Sequence, residues 1–452
     1  FKVRIQRSND QNQANNFTSS FYFMTTSLSF PTPKKIMMKY ARRKFLKNAT
    51  KATLGAGLIA SAPVSFASPF IRTNRIGPND TIRLGMIGTG GRGQNLLELF
   101  REMEGADVVA CCDIIPFRLE EGLSMAAKGA KGYTDYRKML EDDSLDAIVI
   151  SAPLYLHYEM AEACIKAEKH IYCEKTMTFT VEEVKKLGKL LEGYDKAFQV
   201  GYQHRYNPLY NKVRDIIKGD EFGELSHIEC YWNRNGNWRR PVPDPKWERQ
   251  INWRMYREYS GGLMAELISH QLNIANWILD TAPESVMGYG GIDYWKDGRE
   301  TFDNIHAIFQ YPKGIKLSAT SLTTNAQMGF QMKFYGKNAT IQVIRGETYQ
   351  AYLYVEPAYL QQYDKAREGG VDAVSGASEN LKQGKPIALH NEKVSSEDKE
   401  PTGKALAEFC RCIRENEAPL VGYDSGSKSA VCVALANKAM LKGEVIKWKD
   451  YM

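Results

Sequence analysis

Three groups of residues in this sequence have the types and spacing to do chemistry. The first is Gly88-Thr89-Gly90-Gly91-Arg92-Gly93, entered from an apolar run (Ile82, Leu84, Met86, Ile87) and left through Leu96, Leu97, Leu99 and Phe100. A buried strand that breaks into such a turn and continues as a helix is built to hold a pyrophosphate. Gly88 makes the tight turn, Gly90 lets the backbone approach the phosphates, and Gly93 lets helix and strand pack closely. Thr89, Gly91 and Arg92 share that turn, and the helix N-terminus adds unpaired N–H groups and the positive end of its dipole. Asp113 ends the next apolar run, twenty residues beyond Gly93. A carboxylate there accepts hydrogen bonds from adenosine ribose hydroxyls and repels a 2′-phosphate, which favours NAD over NADP. The competing reading makes Asp113 a cap for a helix opening at Pro116.

The second group is Glu174-Lys175, at the end of the apolar run His170–Cys173. A lysine near a bound cation has a depressed pKa, which suits it to moving a proton; the bland alternative is a surface charge pair. The third group is Gly261-Gly262-Leu-Met-Ala-Glu266-Leu-Ile-Ser-His270-Gln-Leu-Asn273. Glu266 and His270 are four apart, so on a helix they share a face, with Asn273 one turn further. A lone histidine on an apolar helix is more often a hydrogen-bonded core residue, but the preceding glycines and the acid at i−4 favour an acid–base role, with Glu266 orienting His270.

The elements that would position these groups alternate. After the strand at 106–112 come a helix near 117–127, a short strand around Tyr133 and a helix at 136–140. Strand 146–151, helix 155–167, strand 170–173, helix 181–193 and strand 197–201 follow. Such alternation predicts a parallel, doubly wound sheet with right-handed crossovers, and ligands at the carboxyl ends of its strands. Those ends present the glycine turn, Asp113, Ser151-Ala152-Pro153, Glu174-Lys175 and Tyr202-Gln203. A helix at 209–218 and a strand at 225–232 follow. From 285 onward strand succeeds strand (285–291, 305–311, 315–322, 331–335, 340–343), predicting a mostly antiparallel sheet open on one face. Residues 364–401 read as loop, and helices at 403–414 and 426–441 close the chain.

Cys173-Glu174-Lys175-Thr176, together with the glycine turn and the Gly-Gly…His helix, resembles the Gfo/Idh/MocA oxidoreductase family over nearly all of residues 82–449. The family motif at this strand end is Glu-Lys-Pro, and Thr176 stands in place of the proline. The resemblance implies a Rossmann domain at 82–204 and an α+β domain for substrate and oligomerisation at 205–452. It implies that Lys175 lies near the nicotinamide and the reacting hydroxyl, with His270 as the second catalytic group. Glu266 and Asn273 stand where the family has aspartates. Ser151, Pro153, His157, Glu174, Gln203, Trp253 and Arg254 complete the expected cofactor side. Arg205, Tyr206, Asn273, Trp238 and Tyr256 are the expected substrate contacts, in a stretch where aromatic rings can stack on sugar faces and Arg and Asn can bond hydroxyls. The resemblance also implies a homodimer or homotetramer through the open sheet face.

Composition bounds the remaining possibilities. With 452 residues, 43% hydrophobic and 25% charged, the chain has the make-up of a globular protein of two domains. The net charge of +7 is misplaced: residues 1–67 hold eleven Lys/Arg against Asp10 alone, leaving a net of −3 beyond them. Nothing therefore points to a nucleic-acid surface. Ala41-Arg-Arg-Lys-Phe-Leu-Lys47, an apolar stretch at 52–60 and Ser65-Phe66-Ala67 read as a twin-arginine export signal with its cleavage site, occupying 37–67. Residues 1–36 read as a non-native upstream extension without fold, and no segment is long and apolar enough to span a bilayer stably. The eight cysteines sit on apolar elements, and none has zinc-site spacing, so neither a disulfide nor a metal is expected.

These readings converge on a periplasmic, NAD-dependent oxidoreductase of a sugar or glycoside hydroxyl, plausibly at C3. No free nicotinamide pool is expected outside the cytoplasm, so its cofactor would be tightly held and regenerated within a cycle. A glycosidase that oxidises C3, eliminates the aglycone, adds water and reduces again fits the same residues without a carboxylate pair. So does a sugar–sugar oxidoreductase. A non-catalytic sugar or nucleotide binder is the reading from another class, opposed by the intact Lys175, His270 and Asp113.

Overall fold

The computed structural model describes residues 80–359, 386–389 and 401–452; the export signal and upstream extension read above lie outside them. Six strands form the first sheet: β1 (Ile82–Ile87), β2 (Ala106–Cys112), β3 (Lys131–Tyr133), β4 (Ala147–Ile150), β5 (His170–Cys173) and β6 (Phe198–Val200). All pair in parallel, in the order β3-β2-β1-β4-β5-β6. This is the doubly wound order, with its switch point between β1 and β4. Helices α1 (Gly91–Arg101), α2 (Pro116–Met125), α3 (Tyr136–Leu140), α4 (His157–Lys166) and α5 (Val181–Leu190) cover its faces. Coverage on both sides explains why β1 and β4 read as continuous apolar runs. The exception in β1 is Arg83, whose backbone N–H and guanidinium engage Asp146 and Ser144 at the sheet's rim.

A second sheet has nine strands. They are β7 (Leu225–Trp232), β8 (Ser285–Gly291), β9 (Asn304–Gln310), β10 (Lys316–Leu322), β11 (Phe330–Gly336), β12 (Ala339–Arg345), β13 (Tyr349–Val355), β14 (Ile387–Ala388) and β15 (Ile446–Lys447). Every pairing is antiparallel except β7 with β10. Burial alternates along β9, β10 and β12, as one-sided packing requires. The inner face packs on α6 (Pro208–Lys218), α7 (Ser269–Leu279) and α9 (Tyr423–Lys442). The outer face leaves Met287, Tyr289 and Ile308 exposed.

The split at residue 205 needs one correction. Helix α8 (Pro401–Glu415) returns to the first domain, where Leu406, Phe409, Cys410 and Ile413 share a core with Ile82, Leu84 and Met86. The Tyr172 and Phe409 rings meet at 5.8 Å, and Gln199 donates to the Ala405 carbonyl at 2.7 Å. The apolar face of α8 is plain in its sequence, but its partner lies some three hundred residues away along the chain. All eight cysteines are buried free thiols. Among the described residues no helix is long and apolar enough to cross a membrane, and no His/Cys/Asp/Glu group could hold a metal.

Candidate active site

Strand register sets the site. Ile87 pairs with Cys112 on one side and Ile150 on the other; Ile150 pairs with Cys173, and Cys173 with Val200. The next residue of each strand therefore falls on one line: Asp113, Gly88, Ser151, Glu174 and Gly201. Between this line and the second sheet lies a cleft of about 460 Å³, within the range of small-molecule sites. A second cavity of about 400 Å³, between Gly261–Leu263 and α9, has mostly apolar walls and none of the three groups of chemical interest except the two glycines.

The glycine turn has the geometry its sequence predicts. Gly88 has φ +88°, and a Cβ there would stand 2.9 Å from the Ser151 and Ala152 backbone. On Gly93 a Cβ would stand 2.1 Å from the Gly88 carbonyl oxygen, so Gly93 serves helix–strand contact and lies behind the cleft. Gly90 and Gly91 face the cleft itself, with only the guanidinium ends of Arg118 (3.5 Å) and Arg240 (3.2 Å) near their Cβ positions. Ser151 Oγ donates to the Gly88 carbonyl at 2.6 Å and pins the turn. Asp113 is not the cap of α2, a place that Ile115 takes, and its carboxylate serves the loops on either side of it. Its Oδ2 accepts from Thr89 N–H at 2.9 Å and its Oδ1 from Ile115 N–H at 2.9 Å, yet it still lines the cleft. Thr89 is fully buried, its hydroxyl donating to the Arg118 carbonyl, so only its backbone serves the turn.

Glu174 accepts from Arg92 Nε at 2.8 Å and from the Lys175 N–H at 3.2 Å, which draws Arg92 and Lys175 to one wall. The Lys175–Thr176 peptide is cis. His157 is buried, its ring nitrogens 2.7 Å from the Thr176 carbonyl and 2.9 Å from the Ala152 carbonyl, so it braces the two loops beside the turn. Lys175 Nζ donates to the Glu266 carbonyl at 3.1 Å and lies 3.9 Å from the Glu266 carboxylate. Burial lowers its pKa below the ordinary lysine value, against the opposing pull of Glu266 and Glu174.

Glu266 does not orient His270. Its carboxylate accepts from Arg254 Nε at 2.5 Å, and Arg254 in turn stacks on Trp253 at 4.2 Å. Burial would raise its pKa, but Arg254 and Lys175 overcome that and hold it ionised. A π turn at Met264–Ile268 precedes α7 and carries Glu266 toward Lys175. His270 instead rests among rings: His204 stacked at 4.5 Å, with Trp232 and Tyr202 each at 5.7 Å. Burial, then the cost of adding a charge beside His204 and Lys175, push its pKa well below the usual value, so the ring is neutral. Its Nδ1 is buried without a hydrogen-bond partner among the described residues, as is Gln203 Oε1; both residues line the cleft.

The cleft thus joins a phosphate-holding turn to a desolvated amine and a neutral imidazole. Comparison with known proteins agrees. The profile described as "Oxidoreductase family, NAD-binding Rossmann fold" matches residues 82–202, and the GFO/IDH/MocA C-terminal domain matches residues 210–342. The chain belongs to the Gfo/Idh/MocA family. A glycosyl hydrolase family 109 protein of Solibacter usitatus is 30% identical over 227 residues, 45% of this chain and 51% of that protein. An inositol 2-dehydrogenase of Salmonella typhimurium is 26% identical over 211 residues, 46% of this chain and 58% of that protein. The chain thus spans about half the length of these curated relatives. A levoglucosan dehydrogenase solved with NADH and levoglucosan shares the fold, with TM-score 0.64 and 17% identity over 81% of this chain and 99% of that one.

NAD, the cofactor of a family with this Rossmann domain, fits the residues present. Gly90 and Gly91 leave room for its phosphates, the α1 N-terminus has no side-chain cap to compete, and Asp113 lines the wall beside β2. Ser151, Pro153, His157, Glu174, Gln203, Trp253 and Arg254 all border the same cleft.

The residues expected to contact substrate lie elsewhere in this Gfo/Idh/MocA protein. Arg205 is buried, stacks on Trp277 at 4.2 Å and donates to Ser425 Oγ at 3.1 Å. Tyr206 has its hydroxyl buried beside Glu408 and Tyr172. Arg205 and Tyr206 follow Gln203 in a 3₁₀ turn, Gln203–Tyr206, so only Gln203 faces the cleft. Asn273 is spent on Ser425 and Ser429 of α9. Tyr256 donates to Glu248 and carries Arg249 on its ring, and Trp238 lies outside the cleft wall with φ +63°. Sequence reasoning missed Trp232, Arg118, Arg234, Arg240 and Arg345 on the cleft wall, and His204 behind His270. Only Arg118 left a signal, five residues past Asp113 on the first turn of α2; Trp232, Arg234, Arg240 and Arg345 come from strand ends and irregular segments of the second domain.

Proposed function

We propose that the protein is an NAD(H)-dependent oxidoreductase acting on a hydroxyl of a sugar or glycoside, at C3 of the ring. The observation that carries this reading is the desolvated Lys175 amine, set between the glycine turn and neutral His270 in one cleft. NAD, when bound, supplies the hydride acceptor at nicotinamide C4. The chain's own part is the proton. A neutral Lys175 Nζ takes it from the substrate hydroxyl, with the Glu266 carboxylate 3.9 Å away to stabilise the ammonium that forms. His270, neutral and with Nδ1 unpartnered, holds the hydroxyl by a hydrogen bond. Gln203 borders the same space, and Trp232 and Trp253 give the walls the flat apolar surfaces that suit a sugar ring.

The twin-arginine pattern at 41–47 supports export, and export supports a cofactor loaded beforehand and held through the cycle. Mass spectrometry of the denatured, purified protein should then release NAD in near-equal molar amount. An empty preparation that also ignores added NAD would overturn every redox reading. Lys175→Ala should abolish turnover while NAD stays bound; retained activity would remove Lys175 from the mechanism.

A second reading, a net glycosidase, is favoured by the Solibacter likeness and by the cleft's carboxylates. Glu174 and Glu266 are engaged by cations and Asp113 by backbone N–H groups, so no acid pair of the ordinary glycosidase kind is free. Release of nitrophenol from nitrophenyl glycosides without net NADH would select this reading; stoichiometric NADH from a free sugar would select the dehydrogenase. The outer face of the second sheet, where Met287 pairs with Ile308 beside exposed Tyr289, supports a homo-oligomer. Ile308→Asp should lower the sedimentation coefficient, and an unchanged value would reject this face as the interface.

A further inference from the structure

The cleft carries more positive charge than a dinucleotide neutralises. Of its seven arginines, three are paired: Arg92 with Glu174, Arg254 with Glu266 and Arg249 with Glu258. The other four, Arg118, Arg240, Arg234 and Arg345, have no ion-pair partner among the described residues. Arg118 and Arg240 stand over the glycine turn, with guanidinium nitrogens 3.5 and 3.2 Å from the Cβ positions of Gly90 and Gly91. Two guanidiniums there match the two negative charges of a pyrophosphate. Arg234 and Arg345 remain unaccounted for.

Both belong to the second sheet, at the end that faces the reacting groups. Arg234 follows β7 by two residues, and Arg345 ends β12. Phe330 of the intervening β11 pairs with Trp232 on one side and Arg345 on the other. Trp232 and Arg345 are therefore two strand spacings apart, about 10 Å. The Arg234 guanidinium lies 5.9 Å from the Trp232 ring, and that ring lies 5.7 Å from His270. Both residues line the cleft and are exposed, and their guanidiniums rest against rings, Arg234 by Trp232 and Trp238 and Arg345 by Tyr349 at 5.3 Å. Their charges oppose one another across this end of the cleft, and Arg345 adds to burial in lowering the Arg234 pKa. A bridging anion relieves that repulsion and gains charge-assisted hydrogen bonds from two forks at once.

We propose that the substrate is an anionic sugar, whose carboxylate, phosphate or sulfate is held by Arg234 and Arg345 while its ring lies against Trp232. A group held there puts the rest of the ring over Trp232 and beside His270, within the space Lys175 also borders. This inference rests on the sugar-oxidoreductase reading above.

The test is calorimetric titration of the full chain loaded with NADH, so that the pyrophosphate site is filled. Glucuronate, galacturonate, glucose 6-phosphate and glucose 6-sulfate are compared with glucose and galactose. At least one anion should bind roughly tenfold tighter than its neutral parent, with an advantage that shrinks as salt is added. A preference confined to uronates identifies a carboxylate, and one confined to the phosphate or sulfate ester identifies that group. The advantage should vanish in the Arg234→Gln/Arg345→Gln double variant with NAD content unchanged. Equal affinity for neutral parents, no binding of any anion, or a preference that survives the double variant would overturn the proposal. The two readings fail separately. Anion binding without NADH formation from any bound probe, starting from NAD-loaded protein, would sink the oxidoreductase and leave the anion site. Oxidation of neutral sugars as fast as anionic ones would do the reverse.

Discussion

Lys175 is pulled two ways, and the balance sets how the site responds to pH. Burial favours its neutral form, Glu266 and Glu174 favour the charged form, and the result lies below an ordinary lysine. If the neutral amine is the base, the rate rises with pH through that lowered pKa. Glu266→Gln removes the strongest opposing charge and leaves Arg254 uncompensated beside the amine. Both changes push the same way, so the rising limb of kcat/KM should move to lower pH. A limb that stays in place would remove Glu266 from control of the amine. At this scale the sequence was legible where one strand end or turn decides a residue's position: Gly88, Asp113, Glu174 and Lys175. It misled at Glu266, because helical spacing sees only neighbours along the same helix. The stronger partner, Arg254, comes from an irregular segment before it, and a π turn intervenes. Arg205, Tyr206 and Asn273 failed for a related reason. Polar residue types can be read from a sequence, but Ser425, Ser429 and Trp277, which absorb Arg205 and Asn273, come from distant stretches, as do Glu408 and Tyr172 beside the Tyr206 hydroxyl.

Five strands ending on one register line make the site a property of the sheet rather than of any loop. The tightest joint in that arrangement is α1 against β1. A methyl at Gly93 would meet the Gly88 carbonyl at 2.1 Å and Ser151 Oγ at 3.0 Å, and the first of these is backbone that cannot swing aside. Gly93→Ala should therefore cost about 1–3 kcal/mol of stability by overpacking. It should also displace the turn and weaken NAD binding. Gly236→Ala is the control, with nothing within 4 Å of its Cβ position and no positive φ. Denaturant midpoints and NAD titration of the two variants check this; a Gly93→Ala protein as stable as the control would refute the contact. The residue-by-residue alternation of a one-sided antiparallel strand also runs through Tyr349–Val355, where Tyr349, Ala351 and Leu353 are buried, so β13 was legible but unread. The parallel pairing of β7 with β10 was not, since strand direction depends on which distant strand lies alongside.

Charge and burial give the whole molecule an uneven character. Beyond residue 67 the chain is net negative, yet its cleft holds four arginines without ion-pair partners among the described residues. The cleft's field is thus a local arrangement, able to draw an anion that the rest of the surface would repel. Burial also makes the fold sensitive to acid. His170 has its pKa pushed down to about 4 by desolvation and by Lys196, and its Nδ1 must stay unprotonated to accept from Ala197 N–H at 2.9 Å. His204, pushed down to about 3 by burial and by Arg345, offers Nε2 to the Tyr349 hydroxyl at 2.7 Å. In the unfolded chain both return to about 6.5. Between those limits the unfolded state binds more protons, so stability is complete above about pH 6.5 and is lost as pH falls toward 4. At pH 5 the loss should be about 1–2 kcal/mol for each histidine. His170→Asn keeps an acceptor where Nδ1 was and removes the titration. Its urea midpoint should therefore fall less between pH 7 and pH 5 than that of the unaltered protein. If it falls by the same amount, His170 is not a source of the acid sensitivity, and the bond that joins β5 to β6 does not depend on a neutral ring.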